Sequence, residues 1–290
     1  MTVFELVKLA LDELYGEAEE EYAAAADAEI KTRMTYLTGS YNQLDKATRQ
    51  PVNYKDPATR FAYVYKYVAA HADYLVQVME LLRAELRCSL FSSEEARISC
   101  IGGGPGSDII AALKYLDEYK DTEPVERVTC YLVDGEQAWA DTWTELSSSL
   151  SLRIGLNANF QPLDVTKPES WKSQKKFLRA HLFTLSFFVS EVCSLDSKGN
   201  GIVSEFWQTL FANAAAGARF IYTDNGHSHF NDYFDGQWKK AGLRCLMQET
   251  NARIYPRLTE EKASLGKYLN KFGQAPKLQS QISYRVLEKA

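Results

Sequence analysis

Ile101-Gly102-Gly103-Gly104-Pro105-Gly106-Ser107-Asp108 sets Gly102, Gly103, Gly104 and Gly106 between a short apolar run and a helical stretch. Glycine serves such a turn in two ways. The chain passes through dihedrals that a Cβ obstructs, and the backbone lies directly against a ligand. Alone, this loop fits a structural turn, a dinucleotide site or another nucleotide-like ligand. Asp134 ends a second apolar run, Tyr131-Leu132-Val133-Asp134. An acid there accepts hydrogen bonds from both hydroxyls of a ribose laid over the glycine loop. Asp164, in Gln161-Pro162-Leu163-Asp164-Val165, follows a third run and is placed to meet a base amino group. For both acids the competing role is that of a helix cap.

Alternating elements must carry these residues to one edge. Residues 97–101, 127–133, 157–163, 180–188, 218–223, 243–249 and 282–287 read as strands, and helical stretches follow the first three. Right-handed crossovers make such a chain a mostly parallel sheet with helices on both faces, its last strand returning antiparallel. The expected class is α/β, a Rossmann-like seven-stranded sheet over residues 96–290. Residues 1–95 read as helix throughout, an N-terminal cap. A helix predicted from Thr59 to about Leu86 carries two stripes, Phe61, Tyr65, Val68, Ala72 and Leu75 beside Val64, Tyr67, His71 and Tyr74.

In motif positions and strand order, residues 96–290 resemble the class I S-adenosylmethionine-dependent methyltransferase superfamily. The resemblance rests on IGGGPGSD, YLVD, QPLDV and LFTLSFFVSEV. It implies S-adenosylmethionine as cofactor, held by Gly102, Gly103, Gly104 and Gly106, by Asp134 and Gly135 at the ribose, and by Asp164 and Val165 at the adenine. Ser186 falls in the segment that faces the methionine sulfur, and Arg60 of the cap is a candidate for the methionine carboxylate. One position departs from the family pattern. The acidic residue often found two places before the first glycine is Cys100 here, so the methionine ammonium needs another partner.

Ligands of open parallel sheets bind beyond the carboxyl ends of the strands. Glu191, Asp224, Asn225, His227 and His229 fall at that edge. His227, His229 and Glu191 are candidates for a base that takes a proton from the acceptor; an H-x-H pair alone is too few ligands for a metal, and none is expected. Phe187, Phe188, Asp224 and Asn225 would wall the acceptor, with Tyr65 from a cap helix that also carries Tyr63, Tyr67, His71 and Tyr74. Aromatic faces and hydroxyls suit a sulfonium or a cationic amine. The cap is the candidate lid over this site. The expected activity is methyl transfer to a small-molecule amine or hydroxyl. The alternatives are RNA methylation with a partner protein, aminocarboxypropyl or aminopropyl transfer, and a non-catalytic binding module. A nicotinamide dehydrogenase fits less well, because Asp134 lies further past the glycine loop than the usual spacing and Asp164 adds its own signal.

Bulk properties fit that reading. The 290 residues are 46% hydrophobic and 24% charged, with a net charge of −5. A nucleic-acid binder ordinarily presents a basic surface; the only basic cluster, Lys172, Lys175, Lys176 and Arg179, reads as a solvated helix face. Five cysteines stand at no disulfide or zinc spacing, the pattern of a reducing compartment. The N-terminus is acidic and amphipathic, unlike a signal peptide. No apolar run reaches the roughly 18 residues of a membrane span. A cytoplasmic location is expected.

Overall fold

The computed structural model describes residues 1–44, 46, 52–196 and 201–290. The helices come first. Helix α1 (Val3–Tyr22) starts at a capping box in which Thr2 and Glu5 satisfy each other's amides, and α2 (Ala26–Tyr41) follows. Helix α3 (Pro57–Tyr63) is capped by the Asp56 carboxylate, which accepts from the Ala58 amide, with Pro57 at the first helical position. It continues through a π turn (Val64–Val68) into α4 (Ala69–Leu86), which ends at Arg87 in a left-handed conformation. The expected long helix is therefore present, but its cap is Asp56; Thr59 instead donates its hydroxyl to Asp56 at 2.6 Å.

Seven strands follow: β1 (Glu95–Ile101), β2 (Arg127–Asp134), β3 (Gly155–Pro162), β4 (Leu182–Ser186), β5 (Arg219–Asn225), β6 (Arg244–Ile254) and β7 (Ser280–Glu288). They form one sheet in the order β3-β2-β1-β4-β5-β7-β6. Neighbours from β3 to β5 are parallel, and β7 inserts antiparallel between β5 and β6. The reversal of strand order falls between β1 and β4, so the crevice expected of an open sheet opens at their carboxyl ends. Strand β4 is shorter than the apolar run 180–188. Phe187 turns to φ +54° and helix α8 (Val189–Asp196) begins, so Glu191 stands on a helix.

Helices cover both faces. The cap shares one apolar cluster with helix α5 (Ser107–Glu118), helix α6 (Ala138–Ser148) and one face of the sheet, from Val3 and Phe61 to Ile98 and Val286. Trp171, Phe206, Trp207, Phe234 and their neighbours fill the other face; Trp171 comes from α7 (Pro168–Lys172), Phe206 and Trp207 from α9 (Ile202–Asn213) and Phe234 from α10 (Ser228–Lys240). Residue 95 is thus a boundary in sequence and not a break in the core. Arg257, after β6, binds Asp73 at 2.7 Å, Glu80 at 3.0 Å and Glu118 at 2.8 Å, tying α4 to the sheet domain. Beyond it Glu260 accepts from the Val3 amide at 2.8 Å. Among the described residues, no helix is long and apolar enough to cross a membrane, and no group of three or more acidic, histidine or cysteine side chains is arranged to hold a metal ion.

Candidate functional site

A cavity of about 360 Å³ opens at the switch point, within the roughly 300–1,000 Å³ of small-molecule sites. Its floor is the turn after β1. Gly102 and Gly103 donate to the Val133 carbonyl, which pins the turn to β2. At Gly102, φ is +64° and an added Cβ would lie 2.1 Å from the Phe188 ring, so only glycine fits. At Gly104, φ is +49° and the nearest atom to an added Cβ is on Trp139, 3.9 Å away. There the missing side chain leaves bare backbone facing open space. Gly106 packs against Trp143 instead, and Gly103 against Leu132 and Cys100; neither lines the cavity.

Asp134, at the end of β2, accepts from the amides of Gly104 and Glu136, each at 2.9 Å. One amide reaches each carboxylate oxygen, which leaves acceptor capacity on both for a ligand. Burial, opposed by those two amides and reinforced by the Glu191 charge, pushes its carboxyl up to about 6. Gly135, Asp164, Val165 and Ser186 also line the cavity. The Asp164 carboxylate is committed to its own turn, accepting from the Thr166 amide and hydroxyl and pairing with Lys167 at 2.9 Å. Burial raises its pKa, but those partners outweigh it and the net shift is downward.

The roof comes from the cap and α6. Tyr54, Tyr63 and Trp139 form an aromatic wall with ring centroids 4.8–5.5 Å apart. On the far side stand Phe187, Phe188, Glu191 and Val192, with Ser194 and Leu195 further along α8. Asp224, fully buried, accepts from the Ser190 amide at 2.8 Å and so fixes the start of α8 beneath Glu191. It also accepts from the Asn225 amide, and burial pushes its carboxyl up to about 6. Its task is positional, and it does not reach the cavity. Asn225 lines a smaller neighbouring recess with Tyr63, Tyr67, His71, Phe187 and Glu191. His71 stacks on Phe187 at 3.7 Å, and burial, then the Lys277 charge, drives its pKa well down.

Besides Gly103, Gly106, Asp224 and Asn225, four more expected site residues stand outside the cavity. Arg60 is spent on Glu17 and on the carbonyls of Tyr54 and Lys55, so it shapes the loop that carries Tyr54 and touches no ligand space. Tyr65 is on the opposite side of its helix and donates to the Gln274 carbonyl. His227 caps α10, accepting from the His229 amide, and His229 meets Cys193; both are exposed and outside the cavity. Helix geometry explains this: the chain leaves β5 and enters α10 before the histidines can turn inward. Glu191 alone of the three candidate bases lines the cavity. Tyr54, Trp139, Ser194 and Leu195 carried no motif signal, and Val192 ends the motif LFTLSFFVSEV without being singled out.

No protein-family model matches the chain, and no curated protein matches it in sequence. Similar solved structures include an O-methyltransferase family protein from Burkholderia thailandensis, 12% identical, with 93% of this chain and 74% of that one covered and a TM-score of 0.47. A proposed RNA methyltransferase from Pyrococcus horikoshii is 12% identical, covers 87% and 97%, and scores 0.42. Human N-acetylserotonin methyltransferase, in complex with S-adenosylmethionine, is 13% identical, covers 89% and 70%, and scores 0.36.

Proposed function

We propose that the chain is an S-adenosylmethionine-dependent methyltransferase acting on an amine or hydroxyl of a small molecule. One observation carries the reading: Gly104 backbone, the Asp134 carboxylate and Glu191 face a single cavity at the carboxyl edge of β1, β2 and β4. Asp134 would accept from the ribose hydroxyls, Gly104 would lie against the methionine portion, and Leu163 and Val165 would flank the adenine. Tyr54, Tyr63 and Trp139 suit a positive charge across the cavity.

The place of the missing acid at Cys100 has a substitute one turn on. Asp108 is buried under the glycine turn, and its Oδ2 has no partner among the described residues. Burial raises its pKa against pulls from Thr184 and Ser186, and Ser186 lines the cavity. Asp108 does not line the cavity itself, so it would act on a methionine ammonium through the Ser186 hydroxyl.

When bound, S-adenosylmethionine supplies a methyl group on a positively charged sulfur, which leaves as a neutral thioether. The residues then have three tasks: to align the acceptor, to exclude water and to remove one proton. Alignment of this kind accounts for roughly 7–11 kcal/mol of barrier lowering. Phe187, Phe188 and Tyr63 exclude water, and Glu191 takes the proton that the acceptor nitrogen or oxygen releases.

Calorimetric titration with S-adenosylmethionine, and separately with NAD, tests the reading. The expected result is micromolar binding of the former alone, weakened at least about tenfold in Asp134→Ala, or ~1.4 kcal/mol. Binding of NAD, or of neither, sinks it. The mass gained by a turned-over acceptor separates methyl from aminocarboxypropyl or aminopropyl transfer.

A further inference from the structure

Three recesses adjoin one another along the sheet edge, the second sharing wall residues with the first and with the third. The 360 Å³ cavity shares Tyr63, Phe187 and Glu191 with a narrow one of about 30 Å³. The narrow one shares Asn225 and Lys277 with an open recess of about 500 Å³. It is therefore a neck, walled by Tyr41, Tyr67 and the stacked His71–Phe187 pair.

The neck is polarised. Glu191 stands at its inner end and Lys277 at its outer end, and the recess beyond carries Arg253 and His227. Lys66 lies close behind, its carbonyl accepting from the Lys277 amide. Among the described residues neither Lys277, Arg253 nor Lys66 forms an ion pair; Lys277 and Arg253 are exposed at the rim of the recess and Lys66 is half-buried. The walls around the Lys277 amine, and then the Lys66 charge, push its pKa down. Unpaired cations that line one recess sum their fields and draw a small anion to it.

We propose that the methyl acceptor carries an anionic group, a carboxylate or a phosphate, which binds between Lys277 and Arg253 while its N–H or O–H passes through the neck to Glu191. This rests on the methyl-transfer reading of the inner cavity. Tyrosine hydroxyls and a neutral His71 along the neck accept a slender polar stem without adding charge. The acidic body of the protein favours a small anion held by this local cluster over a polyanion drawn to a broad basic face.

The test uses the full chain in two stages. Calorimetry with S-adenosylhomocysteine first establishes the inner site. The same protein, with and without S-adenosylhomocysteine, is then titrated with inorganic phosphate, acetate and tetramethylammonium at constant ionic strength. Phosphate or acetate is expected to bind and tetramethylammonium is not, and whichever anion binds more tightly names the group. Lys277→Gln and Arg253→Gln should each weaken that anion about tenfold and leave S-adenosylhomocysteine affinity unchanged, which also reports that both variants are folded. Anions that bind no better than tetramethylammonium, or equally in both variants, overturn the proposal. So does a short single-stranded RNA that binds through Lys277 where phosphate and acetate do not. Failure of S-adenosylhomocysteine alone strikes the inner site, because the anion titration of the free protein is read independently.

Discussion

At the residue scale, Asp134 is poised between two protonation states. Its carboxyl lies up at about 6 because burial disfavours the charge. In the proposed complex, ribose hydroxyls would donate to the carboxylate and favour that charge, so binding should pull the proton off. Cofactor affinity is therefore highest above pH 6 and falls as pH drops through it, by up to about tenfold per unit. Dissociation constants measured between pH 5 and 8 should bend in the wild type and run flat in Asp134→Asn. Gly102 makes a second prediction, about fit. In Gly102→Ala the new methyl would meet the Phe188 ring at φ +64°. A loss of roughly 1–3 kcal/mol is expected from the overpacking, read as a lower denaturation midpoint. Both positions were legible in the sequence because backbone geometry and a strand-end charge leave a residue-type signature. Asp164 was legible as a position, but its side chain caps its own turn through Thr166, a local competition that residue type does not resolve.

At the element scale, the helix from Pro57 to Leu86 decides which tyrosines serve the site. Tyr63, Tyr67 and His71 recur every four residues and face the neck, whereas Tyr65 sits between them and faces Gln274. The sequence shows two neighbouring stripes on this helix, one through Tyr65 and one through Tyr67, His71 and Tyr74, with Tyr63 in neither. Which one meets the crevice depends on how the helix docks, and docking is set by long-range contacts. The π turn at Val64–Val68 lies within the same stretch; such insertions shift the stripe around the helix and recur at functional sites. Tyr63→Phe is accordingly expected to raise the acceptor KM, and Tyr65→Phe to leave kinetics unchanged while lowering the melting temperature through loss of one hydrogen bond, about 1 kcal/mol. Equal kinetic effects in the two variants would contradict the assignment. The histidines after β5 went the other way. His227 and His229 lie at the right edge in sequence, yet the start of α10 consumes the first as a cap and turns the second outward. A polar loop after a strand is only a site if the following helix does not claim it.

At the scale of the whole molecule, the question is whether the first 95 residues open and close over the site. The need to exclude water makes them the candidate lid, but the packing joins them to the sheet. Val3, Leu37, Phe61 and Leu82 belong to one apolar cluster with Ile98, Leu132 and Val286. Arg257 reinforces the join, holding the buried Asp73 of α4 together with Glu80 and Glu118. Removing the arginine leaves the Asp73 carboxylate with no cation and no route to water, a situation that costs roughly 3–5 kcal/mol. If cap and sheet form one cooperative unit, Arg257→Ala should lower the melting temperature in a single transition. Amide exchange should then speed up by similar factors in 69–86 and in β1 and β4. A separate lid would behave differently, with faster exchange in 57–86 alone and the sheet as protected as before. The first pattern places any motion needed for acceptor binding in the neck and in α8. There Glu191 is held to the sheet by the Asp224 bond to the Ser190 amide, and Asp224→Ala should then speed exchange in α8 without touching α4.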